Sequence, residues 1–287
     1  MKKIAITGAA GYIGSHLSYK LKELGYAVFA YDYNFKQNNI SFVDKKVEWN
    51  ISTPIHPSEV DAVVHLAAKT KVHYSVTHPY SYYNTNIIGT ANVIDSFKTN
   101  HFINCSSGCA FNPLSSPYAL SKKAAEDIVK EKSNNFTNLR FYNVSGNAGF
   151  FKFDDERYHL IRRAAATANG LYNFMYIYGD DYDTRDGTCI RNYTHISDIV
   201  SSIIRSIEHG PMNTDYECLG TVEGYTVNEV IDTMKTVSNV DFPVVVEKRR
   251  LGDTPISTMP TKSILFKQEK TLIDQCISAL AAEQRPR

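Results

Sequence analysis

A phenol and an ammonium stand four residues apart in Tyr118-Ala119-Leu120-Ser121-Lys122, a spacing that places both side chains on one face of a helix. A free phenol has a pKa of about 10, so Tyr118 can act as a base at neutral pH only beside positive charge. We expect Lys122 to supply part of that charge. The hydroxyl of Ser107, at the end of a predicted strand, is expected to bond the same substrate oxygen as the phenol. Ser107, Tyr118 and Lys122 therefore predict a proton-transfer triad, although Tyr-x-x-x-Lys by itself is also typical of a solvated pair.

A glycine-rich turn predicts a dinucleotide site. Gly8, Gly11 and Gly14 follow the first predicted strand and open the first predicted helix, where this spacing allows a pyrophosphate to approach the backbone and the N–H groups of the helix terminus. Asp32 ends the next predicted strand, at the distance where a carboxylate accepts the hydroxyls of an adenosine ribose. Because that carboxylate repels a 2′-phosphate, the residues favour NAD over NADP, with Lys36 as the one reservation.

These residues require a scaffold in which strands and helices alternate. Short β-branched runs predict buried strands at Ile4 to Thr7, Ala27 to Tyr31, Ala62 to Leu66, Phe102 to Cys105 and Leu139 to Tyr142. Helical patterns follow the first strand and recur at Pro79 to Phe97, Pro117 to Lys132, His159 to Ala168, Ile196 to Ile207, Val227 to Val237 and Leu272 to Ala282. This alternation predicts an α/β fold with a Rossmann-type, doubly wound parallel sheet.

The regular alternation ends near residue 145, beyond which turn-rich segments separate shorter elements. We expect an NAD-binding domain over residues 1–145 and a smaller C-terminal lobe over residues 146–287. That lobe is expected to bind mainly substrate, with some of its elements returning to the first domain. Within the first domain, Asn50 and Ile51 are candidates to hold the adenine edge, although an ordinary turn asparagine is an equal alternative.

The bulk composition excludes several classes of protein. The chain has 287 residues, 43% hydrophobic and 21% charged, with a net charge of +1. It can bury a sizeable core but has no summed positive field to hold nucleic acid or an anionic membrane. Its five cysteines form no Cys-x-x-Cys pair, and no apolar run is long enough for a signal peptide or a membrane span. We expect a cytoplasmic protein with a small-molecule partner and no metal.

Taken together, the motifs resemble those of the extended short-chain dehydrogenase/reductases, and among them the UDP-glucose 4-epimerases. The resemblance runs from the glycine turn to Arg250-Leu251-Gly252-Asp253, and its most specific stretch is Ile177 to His195. It implies NAD-dependent 4-epimerisation of a UDP-hexose, in galactose metabolism, through a 4-keto intermediate. It also implies a homodimer that forms through the helices holding Tyr82 to Phe97 and Tyr118 to Lys132.

The resemblance implies further binding residues. Those matching cofactor-side positions are Tyr12, Ile13, Leu66, Ala67, Ala68, Lys69, Asn86 and Tyr142, with His65 as a structural neighbour. Those matching substrate-side positions are Asn143, His159, Leu160, Arg191, Arg250, Asp253 and Ser257. Arg191 and Arg250 are implied to grip the diphosphate and Asp253 the nucleotide ribose, which suits the geometry of guanidinium and carboxylate groups.

The chain departs from the family pattern near the expected sugar pocket. Ala110-Phe111-Asn112 replaces the usual Val-Tyr-Gly, the interval from Ser107 to Tyr118 is short, and the loop after Gly146 is trimmed. We therefore expect altered pocket closure and feeble turnover. Ser257 replaces a bulky tyrosine, and the room this leaves beside the 2-position of the sugar predicts that N-acetylated sugars are also accepted.

Two alternatives to an epimerase remain open. Sugar-nucleotide dehydratases, decarboxylases and reductases share the fold, but the dehydratases and decarboxylases need an acid just beyond the serine, where this chain has Gly108 and Cys109. The other alternative is a non-catalytic protein that binds NAD or a UDP-sugar, since a fold alone does not determine a function. The intact Ser107, Tyr118 and Lys122 argue against it.

Overall fold

The computed structural model describes residues 1–36, 40–149, 159–250, 253–261 and 263–283. The strands are β1 Lys3–Thr7, β2 Ala27–Asp32, β3 Lys45–Glu48, β4 Ser58–Val60, β5 Ala62–His65, β6 Phe97–Thr99, β7 Phe102–Ser107, β8 Phe136–Phe141, β9 Asn143–Ser145, β10 Met175–Tyr178, β11 Ile190–Arg191, β12 Tyr193–His195, β13 Glu217–Leu219, β14 Tyr225–Thr226, β15 Val244–Glu247 and β16 Ile256–Ser257. The α-helices are α1 Tyr12–Glu23, α2 Val72–Thr77, α3 Pro79–Tyr82, α4 Gly89–Asp95, α5 Pro117–Lys132, α6 Leu160–Ala168, α7 Ile196–His209, α8 Val227–Ser238 and α9 Leu272–Ala282. The remaining helical segments are a π-helix, Tyr83–Ile88, and the 3₁₀ helices Gly108–Phe111 and Pro113–Ser115.

A parallel sheet carries the first half of the chain. Among the described residues, seven strands form it in the order β13-β8-β7-β5-β1-β2-β3. Ile4, Ala5 and Ile6 of β1 are fully buried, as expected for a central strand covered on both faces. The strand order reverses between β1 and β5, which is where open α/β sheets bind ligands. The predicted Rossmann-type α/β fold is confirmed.

The strand bounds differ from the predicted ones in places where polar residues lie inside the sheet. β8 begins at Phe136, three residues before the predicted start at Leu139. The intervening Thr137 and Asn138 are buried, and the amide of Asn138 donates to the carbonyl oxygen of Asp215 at 3.2 Å. Apolar periodicity does not predict a strand residue that is buried but polar. The short strands β3 and β13 were not predicted.

The predicted helix from Pro79 to Phe97 is present but ends two residues early. It is continuous through α3, the π-helix and α4, since the junction residues Tyr82, Tyr83, Ile88 and Gly89 have right-handed helical φ and ψ angles. The hydroxyl of Ser96 donates to the carbonyl oxygen of Asn92 at 2.7 Å where α4 ends, and Phe97 begins β6. Phe97 packs in the core beside Trp49, with ring centroids 6.3 Å apart.

The chain forms two compact units. The first comprises Met1–Phe141 and Val200–Leu219, and the second comprises Tyr142–Ile199 and Gly220–Arg287. The core of the second unit gathers apolar side chains of α6, α8 and α9, including Ile161, Val230 and Cys276. The functional division at residue 145 stays a prediction. None of the helices in the described ranges is long and apolar enough to cross a membrane.

Candidate active site

The glycine turn follows β1 and is closely packed. Gly8 has a φ of +72°, and a Cβ atom there would lie 2.7 Å from the backbone nitrogen of Ala67. A Cβ atom on Gly14 would lie 2.1 Å from the carbonyl oxygen of Gly8. Gly11 is the N-cap of α1, whose first turn holds no acidic residue. At these glycines the backbone is free of side chains, and it lies at the positive end of a helix dipole. Both features fit the binding of a pyrophosphate.

Asp32 lies at the end of β2 and faces the same turn. Its Oδ2 atom accepts from the backbone N–H of Ala10 at 2.9 Å, and its Oδ1 atom accepts from that of Asn34 at 3.0 Å. Burial is the largest cause acting on the pKa of this carboxyl and raises it, while these two backbone hydrogen bonds act to lower it. The carboxylate is thus held beside the glycine turn, where a ribose diol would meet it. Together, the turn and Asp32 fit the adenosine diphosphate part of NAD.

The predicted adenine contact has a structural alternative in the fold. Asn50 is exposed, and its Oδ1 atom accepts from the backbone N–H of Ser52 at 3.0 Å, which is an Asx turn. Ile51 is buried, and a Cβ atom on Gly89 would lie 2.7 Å from its Cδ1 atom. Both residues have evident packing or turn roles, and their contact with adenine stays a prediction.

His65 bridges β1 and α4 as a neutral ring. Its Nδ1 atom lies 2.7 Å from Thr7 Oγ1 and its Nε2 atom lies 3.0 Å from Thr90 Oγ1. Burial lowers the pKa of His65 to about 3, with the charge of Lys122 as a smaller cause. Thr90 donates its hydroxyl proton to the carbonyl oxygen of Asn86 at 2.7 Å, so it accepts from His65 Nε2–H. His65 Nδ1 in turn accepts from Thr7, which assigns one tautomer and supports a structural role.

Asn86, in the π-helix, links the loop that follows β5 to helix α5. Its Oδ1 atom accepts from the backbone N–H of Lys69 at 2.8 Å, and its Nδ2 atom donates to the carbonyl oxygen of the same residue at 3.0 Å. Nδ2 also donates to Ser121 Oγ at 2.9 Å, and Ser121 donates to the carbonyl oxygen of Tyr118 at 2.7 Å. Asn86 therefore holds the loop Leu66 to Lys69 against the helix that carries Tyr118. The direct contacts of this loop with a cofactor stay predictions.

Ser107 and Tyr118 meet at the carboxyl edge of the sheet. The hydroxyl of Ser107 lies near the phenol of Tyr118 and acts to lower the pKa of that phenol. Ser107 is also the N-cap of the 3₁₀ helix Gly108–Phe111, and its Oγ atom accepts from the backbone N–H of Cys109 at 3.2 Å. A serine hydroxyl that accepts this bond still has its proton to donate, so Ser107 can donate to a phenolate formed at Tyr118.

Lys122 was expected to lower the pKa of Tyr118, but the protein's own groups together raise it. Tyr118 is only 8% exposed, and burial, the largest cause, raises the pKa of its phenol well above the usual value. Cys109 and Tyr82 act in the same direction, whereas Ser107 acts to lower the pKa. Desolvation penalises the charged form. Positive charge brought close to this phenol would favour the phenolate.

Lys122 lies one helical turn after Tyr118 and is buried as well. Its Nζ atom donates to the carbonyl oxygen of Cys105 on β7 at 2.7 Å. Burial lowers the pKa of Lys122, while Cys105 and Glu126 act to raise it. The ammonium is thereby held against the strand that ends in Ser107, so the three predicted catalytic residues lie in one cluster.

In the second unit, the residues predicted to bind the diphosphate and ribose also come together. Asp253 is 2.9 Å from Arg250 Nε and 4.0 Å from Arg191 Nη2. Arg250 lies over the ring of Tyr178, with 4.6 Å between the guanidinium carbon and the ring centroid. Arg191 is opposite Ser257 in the parallel pairing of β11 and β16. Two guanidinium groups therefore converge on one carboxylate, and residues 251 and 252 of this motif lie outside the described residues.

The other predicted substrate contacts lie on different elements of the second unit. The amide of Asn143, at the start of β9, donates to the carbonyl oxygen of Asn192 at 2.9 Å. The hydroxyl of Tyr142 donates to the carbonyl oxygen of Thr258 at 3.2 Å. His159 is the N-cap of α6 and Leu160 is its first residue. Most of the trimmed loop after Gly146, residues 150–158, lies outside the described residues. The binding roles of these residues stay predictions.

One buried pair beside the cluster was missed at the level of sequence. Arg140 on β8 and Glu126 on α5 form a bidentate ion pair in the first unit. Glu126 follows Tyr118 and Lys122 at the same four-residue spacing, which places all three on one helical face. That spacing, together with an arginine inside an apolar strand, was the signal that could have revealed the pair. No cluster of His, Cys, Asp or Glu suited to a metal ion occurs in the part of the chain that the structure describes.

Comparison with known proteins is consistent across sequence and structure. Residues 4–218 match the profile of the NAD dependent epimerase/dehydratase family. The UDP-glucose 4-epimerase of Rhizobium leguminosarum bv. trifolii is 30% identical over 285 residues, which cover 88% of this chain and 86% of the relative. The UDP-Glc/GlcNAc 4-epimerase from Campylobacter jejuni is 28% identical, with a TM-score of 0.81 over 99% of both chains. The UDP-glucose 4-epimerase from Brucella ovis in complex with NAD is 29% identical, with a TM-score of 0.84 over 98% of both chains.

Two glycines provide a matched test of the dinucleotide site. Gly8 and Gly25 have φ angles of +72° and +81°, but a Cβ atom on Gly25 would meet nothing within 4 Å. Gly25→Ala should cost only the strain of a left-handed residue, about 1–2 kcal/mol, and leave NAD affinity unchanged. Gly8→Ala adds the collision with Ala67 and should weaken NAD binding by more than about tenfold. Calorimetric titration with NAD and denaturant unfolding measure the two effects, and equal NAD affinities in the two variants would contradict the assignment.

Proposed function

We propose that this chain, which belongs to the NAD dependent epimerase/dehydratase family, interconverts the 4-epimers of a UDP-hexose through a 4-keto sugar. The chain is an NAD-dependent enzyme similar to the UDP-glucose 4-epimerases. The observation that carries the proposal is the placement of Ser107 at the end of β7, with Lys122 hydrogen-bonded to Cys105 of the same strand, on the sheet edge that also carries the glycine turn after β1. The five cysteines are all unpaired thiols, and this supports a cytoplasmic site of action.

The roles of the chain's own residues follow from their geometry. Tyr118 takes the proton of the sugar 4-hydroxyl at its phenolic oxygen and later returns it. Ser107 donates to that oxygen and so stabilises the phenolate, and Lys122 adds positive charge from the next helical turn. The glycine turn and Asp32 would hold NAD, which would supply the acceptor and donor of the sugar hydride and a positive charge near the phenol.

The residues also weigh against the other activities considered. Gly108 and Cys109 follow Ser107 in the 3₁₀ helix, so no carboxylic acid stands next to the serine for the elimination of water. A non-catalytic binding protein would have no use for a serine hydroxyl directed at a buried phenol. In the second unit, Arg191 and Arg250 would hold the diphosphate, because planar guanidinium groups match phosphate oxygens.

The activity is tested by incubating the purified protein with UDP-galactose and following the anomeric proton signals of both 4-epimers by NMR. We expect conversion to UDP-glucose. Tyr118→Phe should lower kcat by roughly 10²–10⁴-fold, since it removes the acid–base group, while NAD and UDP-sugar still bind. Binding of the UDP-sugar without conversion by the wild-type protein would instead favour a non-catalytic binding protein, and loss of water from the sugar would favour a dehydratase.

Acceptance of N-acetylated sugars is proposed from the small side chain at Ser257. The Campylobacter jejuni protein is a UDP-Glc/GlcNAc 4-epimerase, and Ser257 lies opposite Arg191 in the second unit. We expect turnover of UDP-N-acetylgalactosamine by the wild-type protein. Ser257→Tyr should reduce that activity by roughly five- to 150-fold, through a steric cost of about 1–3 kcal/mol, and spare UDP-galactose. Equal effects of Ser257→Tyr on the two substrates would refute a specificity role for this position.

A homodimer is proposed through the helical segments that hold Tyr82 to Phe97 and Tyr118 to Lys132. Each carries an exposed large apolar side chain, Ile88 at 51% and Leu120 at 40%. Burial of these side chains between two copies would remove apolar surface from water. Light scattering should give the mass of a dimer, and Ile88→Glu combined with Leu120→Glu should give that of a monomer. Ile273→Glu, at a residue that is 55% exposed in the second unit, is the control and should leave the dimer intact.

A further inference from the structure

A buried ion pair ties the helix of Tyr118 to the strand beside Ser107. The Nε and Nη2 atoms of Arg140 donate to the two carboxylate oxygens of Glu126 at 2.8 and 2.6 Å. The side chains of Arg140 and Glu126 are 3% and 4% exposed. Glu126 lies roughly two turns beyond Tyr118 on α5, and Arg140 lies on β8. Two parallel hydrogen bonds between buried charges leave the partners little freedom, so this pair holds α5 against β8.

The guanidinium of Arg140 is also enclosed by two aromatic rings. Its central carbon lies 4.2 Å from the ring centroid of Phe111 and 3.9 Å from that of Tyr216. The two rings contact each other edge to face, with centroids 5.0 Å apart. Both distances are within the range of cation–π attraction, which strengthens when the cation is shielded from water. The ring of Phe111 is therefore held in place by the same cation that binds Glu126.

Phe111 is the last residue of the 3₁₀ helix that Ser107 caps. At its start, Ser107 Oγ accepts from the backbone N–H of Cys109 at 3.2 Å. At its end, the ring of Phe111 lies on Arg140. The short helix is thus held at both ends, and it occupies the segment in which this chain departs from the family pattern. One guanidinium contacts both the segment that orients the Ser107 hydroxyl and the helix that carries the Tyr118 phenol.

We propose that Arg140 is a positioning residue that acts through Phe111 and Glu126 to set the position of the Ser107 hydroxyl relative to the Tyr118 phenol. The kinetic part of this inference rests on the proposed epimerase function. Reacting groups must be held within a fraction of an ångström, and small displacements carry large losses of rate. The groups that face Tyr118 are Ser107, Cys109 and Tyr82, with Lys122 one turn away, and substitution of Phe111 changes the chemical identity of none of them.

The test variant is Phe111→Leu, which keeps an apolar side chain but removes the aromatic face. Phe111 is 39% exposed, so we expect the variant to fold with a melting temperature close to that of the wild type. The kcat should fall by roughly ten- to hundredfold with little change in KM. The acidic limb of the kcat profile should move upward by about 0.5–1 pH unit, because a weaker bond from Ser107 favours the phenolate less. Phe111→Tyr, which retains the ring, should restore both properties.

A measurement without substrate separates this inference from the proposed function. The near-ultraviolet absorbance of phenolate in the NAD-loaded protein, minus that of the NAD-loaded Tyr118→Phe variant, reports the titration of Tyr118. The midpoint should be higher in Phe111→Leu than in the wild type and unchanged in Phe174→Leu. Phe174 is a matched control because its ring packs edge to face on Tyr176 in the second unit, with centroids 5.0 Å apart.

Identical Tyr118 midpoints in the wild type and Phe111→Leu would overturn the proposed role of Arg140, whatever the activity. The same conclusion would follow if Phe174→Leu shifted the midpoint equally. A shifted midpoint in a protein that converts no UDP-hexose would support the role of Arg140 and contradict the epimerase function alone.

Discussion

Burial of the Tyr118 phenol is the constraint on which the chemistry of this protein depends. A phenol shielded from water resists ionisation, and here the groups of the protein leave the pKa above its ordinary value. Of the neighbours identified, Ser107 is the one that acts to lower the pKa of the phenol, and its oxygen accepts from the backbone N–H of Cys109. Lys122 is itself buried, and its ammonium is engaged by the carbonyl oxygen of Cys105. Positive charge from a bound molecule would favour the phenolate here, and this would couple base chemistry to cofactor binding.

The parallel sheet brings the groups of this site to one edge. The carboxyl ends of β1, β2, β5 and β7 carry Thr7, Asp32, His65 and Ser107. Parallel strands point the same way, so residues far apart in sequence meet without a long connection at the edge. Neutral His65 and the amide of Asn86 then hold the loops beyond β1 and β5 through hydrogen bonds to backbone and hydroxyl groups. These buried polar groups are paired, which offsets their cost of desolvation.

The second unit places two like charges near each other. Arg191 and Arg250 both face Asp253, and their mutual repulsion is offset by its carboxylate. Arg250 is further supported by the ring of Tyr178. If this cluster binds a diphosphate as proposed, the guanidinium groups would already be oriented before the anion arrives. In the first unit, the buried pair of Arg140 and Glu126 is also held by attraction between opposite charges, and it stabilises the protein itself.

The sequence by itself determined the features that depend on short spacing. The positions of Gly8, Gly11 and Gly14, the end of β2 at Asp32 and the helical face shared by Tyr118 and Lys122 were all readable from local order. These features arise from sterics and helical periodicity, which act between residues a few positions apart.

Only the tertiary structure decided the features that depend on distant partners. The helix that was predicted to reach Phe97 ends before this residue, whose ring packs beside Trp49. Both polar ends of the Asn86 amide form hydrogen bonds with the backbone of Lys69. The tertiary structure also showed that the protein's own groups leave the pKa of Tyr118 above its ordinary value, because desolvation is set by everything packed around a group. No local pattern contains that information, since burial is a property of the whole core and not of the neighbouring residues in the chain.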